Sequence, residues 1–309
     1  MSNSMTATVK HVEVKEYAGQ RLDNFLLRYL RGIPRSKVYK MLRRGEVRVN
    51  GGRKKPNYRL VEGDEVRIPP VRTGEVVSSS FNRSSWKKIE ASILFEDSDL
   101  IVLNKPAGMA VHGGSGISDG IIELLRKGRP DSMLELAHRL DRDTSGCLAV
   151  AKNRKTLLSL HSKFREGSVR KKYEVIVVGY WPKKLRSVRK SLSRYLLGNG
   201  ERRVRVDSNG DLARTDFEIK EHKAGVASWL TAFPKTGRTH QIRVHCSSSG
   251  YPILGDEKYC PKSLTYRPGR LMLHASSIQF PGISSTQDKF EVGPDDNFLS
   301  IWEEFSSED

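Results

Sequence analysis

Apolar residues near the start of the chain recur first with a helical period and then with a strand period. Leu22, Phe25, Leu26, Tyr29 and Leu30 fall at i, i+3, i+4, i+7 and i+8, one stripe of a helix. Gly32 and Pro34 are expected to end it. Ser36 is expected to cap a second helix with Val38, Met41 and Leu42 inward, and Gly45 to stop it. Val47 and Val49 alternate with polar residues, as in a half-buried strand. Asn50-Gly51 signals a tight turn, and Glu65–Ile68 reads as a further strand.

Beyond position 88 the pattern changes. Residues 93–95 and 100–103 read as a hairpin around Glu96-Asp-Ser-Asp99. A helix is expected near 119–126, with Ile121, Ile122, Leu124 and Leu125 inward. A strand at 147–151 precedes a helix near 154–166, where Leu157, Leu160, His161 and Phe164 line one face. Strands are also expected at 173–179, 215–220 and 226–232. Strands outnumber helices and several adjoin directly. The pattern therefore predicts an α+β domain on a mixed, mainly antiparallel sheet rather than a doubly wound one. No internal repeat is visible.

At 309 residues and 37% hydrophobic, the chain can build one large or two ordinary domains. Residues 71–88 are rich in Ser and polar residues. The expected division is an N-terminal extension at 1–17, a small module at 18–75, a linker at 76–88 and a large domain at 89–309. The net charge of +18 is uneven, because residues 1–75 hold 17 Lys+Arg against 8 Asp+Glu, half of the excess in about a quarter of the chain. Nine cations fall within 21 residues: Arg35, Lys37, Lys40, Arg43, Arg44, Arg48, Arg53, Lys54 and Lys55. Carried on two short helices and a hairpin, they are spaced to follow a phosphate backbone, so RNA or DNA is the expected partner. The three cysteines form no C-x-x-C, which argues against a zinc knuckle or a disulfide framework and for reduced thiols in a cytosol. No signal peptide is read in MSNSMTATVKHVEV, and no apolar run approaches the ~18 residues of a membrane helix.

The chemistry concentrates in HRLDRDTSG, residues 138–146. Charge set against a buried strand is costly unless paired or hydrogen-bonded. Asp141-x-Asp143-x-Ser145-Gly146 mimics the start of a calcium loop, but Lys152 stands at its twelfth position, where a bidentate Glu is required. A magnesium site on D-x-D would follow an apolar strand rather than Ala137-His138-Arg139-Leu140, and the arginines flanking Asp141 oppose a cation. In a third reading Asp141 acts without metal, held ionised by a guanidinium that lowers its pKa by roughly 1–3 units. In a fourth, the cluster is only a salt-bridged loop that fixes a strand.

A second polar run, residues 235–245, carries Arg238, His240, Arg243 and His245. Read as a helix start, Thr239 is its expected cap, and Arg243, one turn on, is able to meet Asp141 from across the domain. Tyr173 opens a strong strand in RKKYEVIVV. It is either a sheet residue or, beside a base pocket, a stacking platform.

Two resemblances gather these signals. RLDNFLLRYL, PRSKVYKMLRRGEVRVNG and GDEVRI resemble the small α/β S4-like (αL-type) RNA-binding module over about residues 18–70. LNKPAGMAVHGGSG, LAHRLDRDTSGCLAVAK, KKYEVIVVG and GRTHQIRVHCSSSGYPILGDEKY, in that order, resemble the RluA family of pseudouridine synthases over about residues 90–280, and most of all its RluC-type branch. The resemblance implies isomerisation of uridine to pseudouridine in large-subunit (23S) ribosomal RNA, without cofactor or metal. It implies Asp141 as the catalytic carboxylate, Arg243 as its partner and Tyr173 stacking on the target base. Arg139 would fill the vacated space or hold the flipped base. Arg35, Lys37, Lys40, Arg43, Arg44 and Arg48 would contact RNA. Lys105 and Pro106 are expected to shape the sheet, and His138 and His274 to be structural. A cytoplasmic monomer is expected. The competing readings are a non-catalytic ribosome-assembly protein, which would tolerate Asp141→Asn, and a magnesium-dependent phosphatase or nuclease, which EDTA would silence.

Overall fold

A computed structural model describes residues 8–15, 17–30, 33–71, 83–113, 119–130, 132–223, 226–261, 268–283 and 287–304. It separates into two compact units, Met1–Ser80 and Phe81–Asp309.

The first unit contains β1 (Lys10–Glu13), α1 (Leu22–Tyr29), α2 (Arg35–Arg44), β2 (Arg48–Val49) and β3 (Glu65–Ile68), with strand order β1-β3-β2. Its core is the predicted one: Leu22, Phe25, Leu26, Val38, Met41 and Leu42 from the helices close over Val49, Val66 and Ile68. Tyr29 lies at the rim, 39% exposed and stacked on Phe25. Ser36 is not a cap. The extended Pro34 (φ −58°, ψ 142°) sets the entry, and the helix starts at Arg35. Asn50 and Gly51 both have positive φ (50° and 74°), and Val49 and Gly52 exchange backbone hydrogen bonds at 2.9 and 3.0 Å, the two-residue hairpin that Asn-Gly favours. Gly32 lies outside the described residues.

The second unit runs α3 (Arg83–Ala91), β4 (Ile93–Glu96), β5 (Leu100–Lys105), α4 (Ile121–Gly128), β6 (Glu135–Leu136), β7 (Ser145–Ala151), α5 (Arg154–Glu166) and β8 (Arg170–Val178). It continues with β9 (Ser187–Leu196), β10 (Arg202–Val206), β11 (Asp211–Lys223), β12 (Ala227–Pro234), α6 (Gln241–Ser248), β13 (Leu273–Gln279), β14 (Lys289–Glu291) and α7 (Asp296–Glu304). One sheet of eleven strands has the order β10-β9-β11-β12-β8-β13-β7-β5-β4, with β14 paired to β13 and β6 to β7. Every pairing is antiparallel except β13 with β7. The sheet is thus mixed and mainly antiparallel. β13 brings β7 and β8 to its two sides, and these strands carry the chemistry-bearing segments.

The expected linker needs correction at its C-terminal part. Residues 76–82 lie outside the described residues, but residues 83–88 begin α3. Ile89 is fully buried and Trp86 packs beside it over α4, so a serine-rich but amphipathic stretch folds as a helix. β9 and β10 were not expected either. Val188, Leu192 and Val204 are buried within runs so basic that the strand pattern is obscured.

Candidate active site

β7 is buried along its whole length, and much of the polar run leading into it is held by hydrogen bonds. His138 Nε2 accepts the Ala149 N–H at 3.0 Å, and burial pushes its pKa down to about 3, so the ring is neutral. Leu140 enters the apolar core. The Thr144 N–H donates to the Asp141 carbonyl at 3.2 Å and closes the turn. Lys105, fully buried at the end of β5, ties that turn to its own loop, with Nζ donating to the carbonyls of Pro106 (2.8 Å), Met109 (2.7 Å) and Arg142 (2.8 Å). Burial lowers its pKa to about 7.

Gly146 has φ 106°, and a Cβ there would lie 2.2 Å from the Ala275 carbonyl, so only glycine lets β7 and β13 approach in parallel. Ser145 Oγ lies 2.9 Å from His274 Nδ1 and accepts from Arg270 Nη2 at 2.8 Å. His274 Nε2 is 3.0 Å from the Val292 carbonyl and must donate to it. Nδ1 is therefore left to accept from Ser145. His138 and His274 both serve structure, as the sequence indicated.

The opposite wall is α6. His240, its N-cap, has φ 51° and no capping hydrogen bond. The expected cap, Thr239, instead lies in the preceding turn, because the tight left-handed entry starts the helix at Gln241. Arg243 is 3% exposed, and each of its three guanidinium nitrogens donates a hydrogen bond. Nε and Nη2 each donate at 2.8 Å to the two oxygens of Asp256, and Nη1 reaches Asp141 Oδ2 at 3.2 Å. Asp256 is 1% exposed and also accepts the N–H groups of Lys258 (2.9 Å) and Tyr259 (3.1 Å). Burial opposes the Arg243 charge, but the hydrogen bonds and field of Asp256, then of Asp141, outweigh it and raise its pKa above the ordinary value. His240 Nε2 lies 3.8 Å from Asp141 Oδ2 and Nδ1 lies 2.6 Å from the Tyr259 hydroxyl. Burial lowers the His240 pKa, with Asp141 pulling the other way.

Asp141 stands where two cavities adjoin. A cleft of about 1070 Å³ is lined by Arg139, Arg142, His240, Lys258 and Arg270 on its polar side. A smaller cavity of about 330 Å³ is lined by Asp141, Thr144, Phe164, Lys171 and Tyr173. Arg139 is exposed and borders both. Burial, then the charge of Asp141, raises the Tyr173 pKa, so the phenol stays neutral. The structure thus brings Asp141, Arg243, Tyr173 and Arg139 together. Sequence reasoning missed Asp256, Lys171 and the His240–Tyr259 pair, although Asp256 and Tyr259 lay within the quoted GDEKY.

In the first unit Arg35, Lys37, Lys40, Arg43 and Arg44 are exposed along α2, and Arg48 is half-buried with Nε donating to the Gly45 carbonyl at 2.7 Å. Among the described residues no group of three or more His, Cys, Asp or Glu is placed to hold a metal ion, and no helix is long and apolar enough to cross a membrane.

The RNA pseudouridylate synthase family model matches residues 99–248, and the S4 domain model matches residues 20–66. A ribosomal large subunit pseudouridine synthase C of Pasteurella multocida (strain Pm70) is 50% identical over 283 residues, covering 88% of this chain and 86% of the relative. The chain belongs to the RNA pseudouridylate synthase family. The relative of the same name from Escherichia coli (strain K12) is 46% identical over 286 residues, covering 89% of each chain. The solved structure of human RNA pseudouridylate synthase domain containing 4 superposes with a TM-score of 0.60 at 27% identity, over 72% of this chain and 96% of that one. Pseudouridine synthase membership makes the chain an isomerase and displaces the magnesium-dependent and non-catalytic readings. The S4 match identifies the first unit as an RNA-binding module.

Proposed function

We propose that this pseudouridine synthase isomerises uridines in large-subunit ribosomal RNA, with Asp141 as the catalytic carboxylate. The observation that carries the site assignment is the Arg243–Asp141 pair. It joins residues 102 positions apart at 3.2 Å, at the junction of two cavities, with the guanidinium anchored from behind by Asp256. The choice of RNA rests on the likeness to ribosomal large subunit pseudouridine synthases C.

The reaction moves C1′ of the ribose from N1 of uracil to C5. A base within an RNA helix is out of reach, so the target is flipped out at a cost of a few kcal/mol in lost stacking. Arg139, exposed at the rim of both cavities, holds the base or the space it leaves. The uracil enters the smaller cavity against Tyr173. Breaking N1–C1′ leaves its electron pair on the uracil, shared among N1, O2 and O4. The Asp141 carboxylate then takes up C1′ directly or removes the C2′ proton. The uracil turns, and C5 bonds to C1′ as the carboxylate oxygen leaves C1′ with its electron pair or as the proton returns to C2′. The C5 proton then passes through solvent to N1. Atoms and charge balance without redox or phosphoryl chemistry. Arg243 aims the carboxylate, and a charge-assisted hydrogen bond is stronger than a neutral one.

The module at residues 18–75 docks the RNA through Arg35, Lys37, Lys40, Arg43, Arg44 and Arg48, and the chain works as a cytoplasmic monomer. Tethering a weak docking contact to a catalytic pocket raises the effective concentration of target at the pocket. Mapping pseudouridines on large-subunit ribosomal RNA from cells with and without this protein tests the reading. Specific sites should vanish with the protein and return with the intact chain but not with Asp141→Asn. An unchanged map overturns it.

A further inference from the structure

Lys105, which ties down the Asp141 turn, and Lys171, which lines the smaller cavity, differ in their partners. Lys105 gives its ammonium to three carbonyls at 2.7 to 2.8 Å. Lys171 makes one side-chain hydrogen bond, to the Thr236 carbonyl, at 3.3 Å. That is long for a charged donor, whose bonds usually measure about 2.7–2.9 Å. Among the described residues no carboxylate comes close enough to offset its burial, which alone lowers its pKa to about 8. A half-buried cation with unpartnered N–H groups costs free energy that a ligand acceptor would recover.

Its position identifies the acceptor. Lys171 precedes Tyr173 by two residues on β8, so both side chains project from the same face of the strand, about 7 Å apart along it. Both line the smaller cavity, with Asp141 on its border and Phe164, Ile242 and Leu273 among its apolar walls. Gly237 also lines that cavity, its Cα side facing Lys171 Nζ. A phosphate suits the wider cleft, where Arg142, Lys258 and Arg270 lie. A mixed slot with an aromatic face, apolar walls and an ammonium with few partners suits a pyrimidine ring and its carbonyl.

We propose that Lys171 is a further catalytic residue, which donates to a carbonyl oxygen of the flipped uracil and stabilises the negative charge the ring acquires when N1–C1′ breaks. This rests on the isomerisation reading above. Lys171 neither gains nor loses a proton. It is a fixed donor aimed at charge that develops only in the transition state, and removing such a donor from a dry site typically slows the chemical step by about 10²–10³-fold. Selectivity follows as well, since cytosine presents an amino group in place of O4 and forms a poorer leaving anion.

The test uses the full chain with unmodified large-subunit ribosomal RNA labelled with tritium at uridine C5, read as tritium release under single turnover. Lys171→Met should slow release by about 10²–10³-fold. Its affinity for the RNA should stay within a factor of about two, since one phosphate-independent contact is lost. Lys171→Arg should restore most of the rate. Thermal melting separates a misfolded variant from a folded, slow one, and the Arg variant keeps the test decisive if the Met variant fails to fold. A Lys171→Met rate near wild type overturns the inference. So does an equal loss of affinity and rate with a shallower salt dependence, the signature of a phosphate contact. Asp141→Asn run alongside distinguishes the two levels. If it is inactive while Lys171→Met is fast, only the Lys171 role fails. If it is active, the reading of the site itself fails.

Discussion

Replacing Asp256 with Asn probes how the site is held together. Arg243 and Asp256 are 3% and 1% exposed, and their two 2.8 Å bonds form a bidentate pair within the core that also packs Ile242, Cys246 and Leu254. The asparagine side chain would keep one neutral acceptor oxygen but turn an amide N–H2 against the second guanidinium N–H, leaving Asp141 at 3.2 Å as the one charged partner of a buried guanidinium. Breaking a buried pair from one side costs about 3–5 kcal/mol. For a unit the size of Phe81–Asp309, each kcal/mol lowers the melting temperature by roughly 2–4 °C, so a drop of about 6–20 °C is expected. Activity should fall further than folding, because Arg243 can then turn toward Asp141 and misplace its carboxylate. The assays are calorimetric melting and single-turnover tritium release at a temperature where the variant remains folded. Arg243→Met combined with Asp256→Leu should regain part of the stability but none of the activity, since apolar replacement of both partners removes the stranded charge. A single Asp256→Asn variant that loses less than about 1 kcal/mol and keeps its rate would refute this account of the pair.

Three further outcomes follow from the same structure. Removing two of Arg35, Lys40 and Arg43 on the exposed face of α2 should weaken RNA binding and flatten the slope of log affinity against log salt by up to about 0.9 per lost phosphate contact, as filter binding at several salt concentrations would show. An unchanged slope would remove these residues from the interface. Acid should destabilise the second unit, because His138 and His245 have native pKa values pushed by burial to about 3 and about 4. Between those values and the unfolded value of about 6.5, the unfolded chain binds protons that the native state refuses, so stability falls as pH falls through that window. Denaturant titrations from pH 7 to 4 should show the loss, and a His138→Gln variant should show less of it. Gly146→Ala should fail to accumulate as folded protein, since its Cβ meets the Ala275 carbonyl at 2.2 Å on a backbone at φ 106°. Normal melting of that variant would contradict the β7–β13 contact described here.

The helices and turns of the first unit were legible because their signals are local. The Leu22–Leu30 stripe, Gly45 and Asn50-Gly51 each fix their own few residues. β7, β8 and β12 were legible as runs of buried residues. β9 and β10 were not, because near this end of the sheet they bury only Val188, Leu192 and Val204, and the rest is largely arginine, lysine and serine. α3 was missed because Trp86 and Ile89 are its main apolar anchors in a polar sequence. At the site, Asp141 and Arg243 stood out by their charge against apolar surroundings. Asp256 did not, since a single acidic residue in a turn looks solvated until the fold places it under a guanidinium. Lys171 was hidden for the same reason, its missing partners being a property of three-dimensional packing.

Whether the Asp141 carboxylate performs the isomerisation is decided by its neutral amide. The most direct measurement is the single-turnover yield of pseudouridine from unmodified large-subunit ribosomal RNA by Asp141→Asn, with the folded state checked by melting. A folded protein that still binds RNA and forms no product is expected. Product at the wild-type rate would contradict it.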